Sequence, residues 1–203
     1  MNDFWKNKKV LITGHTGFKG SWLSLVLLHW GAEVSGYALA PSTDPSLFEL
    51  AALDKDISSN IGDIRDYDRL LECVSTEKPE IIIHMAAQPI VLESYRNPRE
   101  TYSSNVMGAV NIMETARHCK SLKALLNVTT DKCYENNDGN KDAFAEHDRL
   151  GGHDPYSSSK ACSEIITQSF RKSFFTAEDS SAVASARAGN VIGGGDWAKK
   201  GLS

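Results

Sequence analysis

Short apolar runs alternate along the chain with longer stretches of helical period. Runs rich in β-branched and aliphatic residues fall at 10–13, 33–39, 56–61, 80–85, 123–129 and 182–190, and their length and composition predict strands. Between the first two, Trp22, Leu23, Val26, Leu27 and Trp30 recur at helical spacing, and Gly31 supplies a stop. That is a βαβ unit. Strands separated by helices predict an α/β fold, a doubly wound parallel sheet covered on both faces. Two later helices are expected to present apolar faces, one with Tyr102, Val106, Val110 and Met113 after Pro98, the other with Cys162, Ile166, Phe170 and Phe174. Such faces pack on the sheet or bury themselves against a second subunit. Residues 136–152 are polar, Gly-containing and aperiodic, which predicts a long loop.

Composition narrows the class. The chain has 203 residues, 41% hydrophobic and 24% charged, with a net charge of −4, enough for one good core and inconsistent with overall disorder. Lys+Arg 22 against Asp+Glu 26, without a dense basic run, argues against a nucleic-acid binder. No apolar run approaches the roughly 20 residues of a membrane span. The basic start leads into the first strand without a small-residue cleavage site, so the chain is expected in the cytoplasm. Cys73, Cys119, Cys133 and Cys162 are far apart with no Cys-x-x-Cys pair, which predicts free thiols and no metal site.

The chemistry lies at the strand ends. Thr13-Gly14-His15-Thr16-Gly17-Phe18-Lys19-Gly20 follows the first strand and opens the first helix. Its G-x-x-G-x-x-G spacing is one residue longer in the first gap than the dinucleotide fingerprint. Glycines there let the backbone approach a pyrophosphate whose charge meets the helix N-terminus, so Gly14, Thr16, Gly17, Phe18, Lys19 and Gly20 are expected to bind a dinucleotide. The second strand ends without the acidic residue that marks NAD, and residues 33–54 contain no Lys or Arg to meet the 2′-phosphate of NADP. NAD is the expected cofactor, with Lys19 the one nearby cation in the loop. Asp63 ends the third strand, where a carboxylate accepts from an adenine amino group or simply closes a polar turn. Tyr156 and Lys160, four apart, share a helix face, an arrangement in which an ammonium helps a phenol act as a base. Thr130, Asp131 and Lys132 end the fifth strand, where parallel sheets present ligand-binding groups. Thr130 is placed to hydrogen-bond the hydroxyl that Tyr156 would deprotonate, and Asp131 with Lys132 supplies a second acid/base pair.

Together these residues resemble the extended short-chain dehydrogenase/reductases, a Rossmann-fold family of nucleotide-sugar enzymes. Within it the likeness narrows to the 4,6-dehydratases that act on CDP-glucose. It is carried by residues 14–23, Pro45-Ser46-Leu47-Phe48-Glu49, His84-Met85-Ala86-Ala87-Gln88-Pro89, residues 130–134, Asp154-Pro155-Tyr156 and residues 187–197, running from about residue 4 to 198. The resemblance implies a Rossmann-type domain over residues 1–198 that binds NAD and carries the catalytic residues, followed by a divergent tail at 199–203, with most of the C-terminal substrate-binding lobe absent. It implies oxidation of the sugar at C4 by Tyr156, Lys160 and Thr130. Water is then lost across C5 and C6 with Lys132 as base and Asp131 as acid, and hydride returns to C6 to give CDP-4-dehydro-6-deoxy-D-glucose. It also implies that Ile64, Met85, Ala86, Ala87 and Gln88 line the cofactor, that Gln88 and Asn190 touch the nucleotide sugar, and that the two long helices form a homodimer. The chain departs from the family at Ala40, where an acidic residue is usual, in the loop at 137–153, at Lys132, where better-known dehydratases have Glu, and at its end. Two other readings follow: a catalytically silent, truncated NAD-binding fragment, and a nucleotide-sugar 4-epimerase, which needs no Asp131–Lys132 pair.

Overall fold

A computed structural model describes residues 3–136 and 143–198. Six strands form one sheet: β1 (Lys9–Thr13), β2 (Glu33–Ala38), β3 (Ser58–Ile61), β4 (Ile81–His84), β5 (Ala124–Thr130) and β6 (Ala182–Ala188). Each lies where an apolar run predicts it. All pairings are parallel, in the order β3-β2-β1-β4-β5-β6. The chain winds outward from β1 to β3, crosses to β4, and winds outward again to β6. That reversal opens a crevice between the C-terminal ends of β1 and β4, where such sheets bind ligands.

Among the described residues seven α-helices connect the strands: α1 (Phe18–His29), α2 (Leu47–Leu50), α3 (Tyr67–Glu77), α4 (Val91–Arg96), α5 (Pro98–Tyr102), α6 (Gly108–His118) and α7 (Pro155–Phe174). A π-helical turn, Ser103–Met107, joins α5 to α6. Alternate residues of β1 serve opposite layers. Val10 and Ile12 pack with Leu27, Phe48, Leu53 and Ile57 on one face, and Leu11 packs with Leu70, Val74, Ile112 and Met113 on the other.

The helices do not all bury the faces expected of them. On α1 the buried residues are Gly20, Ser21, Ser24 and Leu27, whereas Trp22 and Trp30 are exposed. Small side chains let this helix approach the strand end closely. Across α5, the π-turn and α6 the buried residues include Thr101, Asn105, Ala109, Ile112 and Met113, while Tyr102 is exposed. The sheet side of α7 is polar and small: Ser157, Ser159, Lys160, Ser163, Glu164 and Thr167 are all buried. Asn127 on β5 donates to Ser163 Oγ at 2.9 Å and to Thr167 Oγ1 at 2.8 Å, while Ile166 and Phe170 of the predicted apolar face pack against the core beside this hydrogen-bonded strip. Of the predicted loop, Tyr134 and Leu150 form an antiparallel bridge at its base. Residues 137–142 and the tail at 199–203 lie outside the described residues.

Candidate active site

The glycine loop joins β1 to α1 at the crevice. Gly14 has φ +82°, and a Cβ there would stand 2.9 Å from Ala86 N at the end of β4. A Cβ on Gly20 would lie 2.1 Å from Gly14 O. Both glycines are therefore dictated by packing of the loop on its neighbours. Gly17 is different: its nearest contact would be 3.4 Å, and as N-cap it has no side chain to occupy the first amides of α1. Free N–H groups at a helix N-terminus suit a diphosphate.

Thr16 donates to Leu39 O at 2.8 Å and ties the loop to the end of β2. His15, unassigned in the sequence reading, is fully buried and stands edge-on to Phe48. Its Nε2 is 2.7 Å from Ser59 Oγ, and a Cβ on Gly36 would collide with its ring. Burial lowers its pKa to about 4, so the ring is neutral. Phe48 is held there by a short capped helix, in which Ser46 Oγ accepts from Glu49 N at 3.2 Å.

Thr13 ties β1 to β4. Its Oγ1 accepts from Met85 N and Ala86 N, both at 3.1 Å, and lies 2.7 Å from His84 Nδ1. Two accepted bonds leave the hydroxyl proton for Nδ1, which fixes the imidazole proton on Nε2. Burial, with Lys160 nearby, lowers the His84 pKa to about 3.

Asp63 and Ile64 follow the end of β3. Both oxygens of Asp63 are engaged by the Arg65 guanidinium, at 2.9 and 3.0 Å from Nε, and Arg65 also pairs with Glu100 at 2.7 Å. Ile64 is buried, and its carbonyl accepts from Asn111 at 3.0 Å. The Gln88 side chain folds back on its own loop, donating to Thr101 Oγ1 at 2.9 Å and accepting from Ile90 N at 2.6 Å. Its amide is thus used in holding the turn after β4. Asn190 is exposed just beyond β6.

At the other side of the crevice, Asp154 caps α7. Its Oδ1 accepts from Ser157 N at 2.9 Å and Pro155 occupies the first turn. Tyr156 therefore sits at the helix N-terminus, where an anion is favoured. Burial raises the phenol pKa, a bond with Thr130 opposes this, and the charges of Asp131 and Asp154 add to the rise. Lys160, one turn on, is buried and donates to Val128 O at 3.4 Å. Burial and then the Lys19 charge lower its pKa to about 8. Thr130 Oγ1 donates to Asp131 Oδ1 at 3.0 Å and accepts from Lys132 N at 3.3 Å. Asp131 and Lys132 are both exposed.

A cleft of about 400 Å³ is lined by Phe18, Lys19 and Trp22, by Met85 and Val128, and by Ala188 and Val191 among others. It brings the glycine loop together with the ends of β4, β5 and β6. Among the described residues no group of three or more His, Cys, Asp or Glu side chains is placed to hold a metal, and no helix is long and apolar enough to cross a membrane.

The family model for GDP-mannose 4,6 dehydratase matches residues 11–182. The chain belongs to that family. It is 52% identical over 97% of its length to a CDP-glucose 4,6-dehydratase of Salmonella typhimurium, covering 56% of that protein. It is 29% identical over 82% of its length to a UDP-glucose 4-epimerase of Pisum sativum, covering 48% of it. Among solved structures it resembles a dTDP-glucose 4,6-dehydratase of Bacillus anthracis in complex with NAD, with a TM-score of 0.68 at 24% identity over 82% of this chain and 51% of that one. A UDP-glucose 4-epimerase of Brucella ovis in complex with NAD gives 0.70 at 23% identity over 82% and 49%. The chain thus spans about half the length of the relatives it matches.

Three residues of the site escaped the sequence reading. His15 lies inside the glycine motif but packs away from the crevice. Glu164 is one helical turn beyond Lys160, a spacing that places both on one face. Arg187, next to last in the Ala-rich β6, pairs with Glu164 at 3.0 Å. A carboxylate four residues after the lysine and an arginine inside an apolar strand were the available signals.

Proposed function

We propose that this chain carries the cofactor-binding and catalytic half of an NAD-dependent CDP-glucose 4,6-dehydratase. The observation that carries the reading is the continuity of Thr130, Asp131 and Lys132 at the end of β5. Thr130 Oγ1 donates to Asp131 Oδ1 at 3.0 Å and is near enough to the Tyr156 phenol to oppose the rise in its pKa, so one hydroxyl stands between a group for C4 oxidation and a group for elimination. The identity of 52% to a CDP-glucose 4,6-dehydratase supports the substrate class.

The residues fit a dinucleotide. Gly17 leaves the α1 amides free for a diphosphate, and Lys19 and Lys160 act on each other across the cleft, a pair of positive charges that a bound polyanion would relieve. NAD, when bound, accepts a hydride from the sugar and returns it. Tyr156 takes the C4 hydroxyl proton, helped by the α7 N-terminus and the Lys160 charge. Thr130 orients that hydroxyl. The C4 ketone acidifies the C5 hydrogen, which Lys132 removes while Asp131 protonates the departing C6 hydroxyl. An epimerase has no use for that second pair, which weighs against the 4-epimerase reading. A second reading is a cofactor-binding half that is silent alone.

We also propose a homodimer built on the long helices, supported by the exposed apolar side chains Tyr102 and Met107 on one and Ile165 on the other. The four free thiols fit the reducing cytoplasm. The deciding experiment incubates the purified chain with CDP-glucose and NAD+ and follows the absorbance of the 4-keto product in alkali. Product supports the dehydratase. Cofactor binding without turnover assigns this chain the silent role.

A further inference from the structure

We infer that Arg187 is a positioning residue that pins the arm leaving the Asp131–Lys132 turn to the catalytic helix, with Glu164 as the buried counter-charge that holds its fork. The catalytic part of this inference rests on the dehydratase reading; the pinning itself does not.

Glu164 lies on α7 one turn beyond Lys160 and is 4% exposed. Among the described residues, its side-chain hydrogen bonds all cross to the sheet. Thr129 Oγ1 on β5 donates to Oε1, while Ser185 Oγ on β6 and Arg187 Nη2 donate to Oε2 at 2.8 and 3.0 Å. A carboxylate so placed is tolerated only with its counter-charge in position. The other end of the Arg187 fork points away from the helix. Its Nη1 donates to Tyr134 Oη at 2.9 Å and to Glu146 O at 3.1 Å, and the guanidinium stands 4.8 Å over the Tyr134 ring. That ring stacks on Phe144 at 4.6 Å with an interplanar angle of 9°.

Tyr134 belongs to one limb of the arm, Phe144 and Glu146 to the other. The base is closed by Glu135 N to Arg149 O and Gly151 N to Cys133 O, each 2.9 Å. The arm begins two residues after Lys132. Asp131 and Lys132 are themselves exposed, and Thr130 Oγ1 is the side-chain atom that bonds their turn. One planar guanidinium therefore spans from the helix bearing Tyr156 and Lys160 to the arm that follows the elimination pair. A lysine at this position can face Glu164 but cannot serve both ends, because it is a point charge on a flexible stem.

Arg187→Lys is therefore the informative variant, since it keeps Glu164 neutralised while removing the fork; Arg187→Met leaves a buried carboxylate unpaired and risks the fold. Tyr134→Phe removes the acceptor alone and leaves the ion pair intact. The first readout is alkylation of Cys133, which is fully buried beneath the arm, resolved by mass spectrometry against Cys73 in the core as internal control. In both variants Cys133 should label roughly tenfold faster, with Cys73 and the melting temperature unchanged. Labelling of Cys133 at the wild-type rate in Arg187→Lys overturns the inference. The second readout separates the half-reactions in a single turnover with CDP-glucose and NAD+. Reduced cofactor should still form at close to the wild-type rate, while elimination slows by roughly a hundredfold, the scale of a misplacement near one ångström. Equal loss of both steps marks a general structural defect and overturns the positioning role. If the wild-type chain does not turn over, the dehydratase reading has failed, and the Cys133 result alone decides whether Arg187 pins the arm.

Discussion

Lys160 should weaken the fold that it serves. The side chain is buried between α7 and β5, it donates to Val128 O over a long 3.4 Å, and its pKa falls from 10.5 to about 8. A lysine whose folded pKa lies below its unfolded value binds its proton more weakly when folded. Below about pH 8 it is charged in both states, and the full penalty of burying the charge is present. As pH rises from about 8 to 10.5 the folded state loses the proton first, and the penalty disappears. A difference of about two and a half units corresponds to about 3 kcal/mol at ~1.4 kcal/mol per unit. Subtracting about 1 kcal/mol for the lost hydrogen bond leaves Lys160→Met more stable than wild type by roughly 2 kcal/mol near neutral pH. Urea unfolding of both proteins across pH 7 to about 10 reads this directly. The gain should shrink toward the alkaline end, while cofactor-linked oxidation is lost at every pH. A variant no more stable than wild type near pH 7, or a gap that does not change with pH, would refute the account of Lys160 as a buried cation held for function.

Gly20→Ala should cost about 1–3 kcal/mol, because a Cβ 2.1 Å from Gly14 O forces α1 off the loop. Gly17→Ala should cost about 1 kcal/mol or less yet weaken NAD binding, and paired urea melts and cofactor titrations that fail to separate the two variants would sink the assignment. His15 and His84 are neutral when folded, with pKa values of about 4 and 3 against 6.5, so stability should fall as pH drops below about 6.5. Near pH 5, His84→Asn should remove about one proton from the uptake on unfolding; an unchanged slope in stability against pH counts against the burial account. Lys132→Ala should abolish elimination and leave reduction of NAD+ measurable, and dehydration at the wild-type rate would show that another group is the base. Ile165→Glu should shift the chain from dimer to monomer in sedimentation without lowering its melting temperature, and a monomeric wild type would contradict the proposed interface.

The strand pattern was legible because each strand is a short aliphatic run bounded by polar turns, and buried parallel strands leave little else in the sequence. The faces of the helices were less legible. Apolar counting selects Trp22 and Trp30 on α1, yet Gly20, Ser21 and Ser24 face the sheet, because the glycine loop demands an approach that large side chains forbid. The π-turn at Ser103–Met107 inserts an extra residue into the helical count, so a constant period carried forward from Tyr102 drifts away from the buried Asn105. On α7 apolar counting finds Ile166 and Phe170, which pack against the core, but gives no sign of the buried Glu164 beside them. At the strand ends the candidate chemistry is read from local spacing, Thr130 closing β5 and Tyr156 standing four residues before Lys160 on α7. Gln88 and Asp63 were harder. Nothing in their neighbourhood reveals that Thr101 and Arg65 engage their side chains.

The hydroxyl-lined seam between α7 and β5 acts as a toothed rack. Oily surfaces slide past one another with little change in energy, whereas a bond such as Asn127 to Ser163 and Thr167 tolerates an error of only a few tenths of an ångström before it is lost. Creep of α7 along its axis therefore breaks several bonds at once, and the helix is indexed to a single notch on the strand. Tyr156 rides on that helix and Thr130 on that strand. Their alignment is thus guaranteed by teeth a full turn or more away from the crevice.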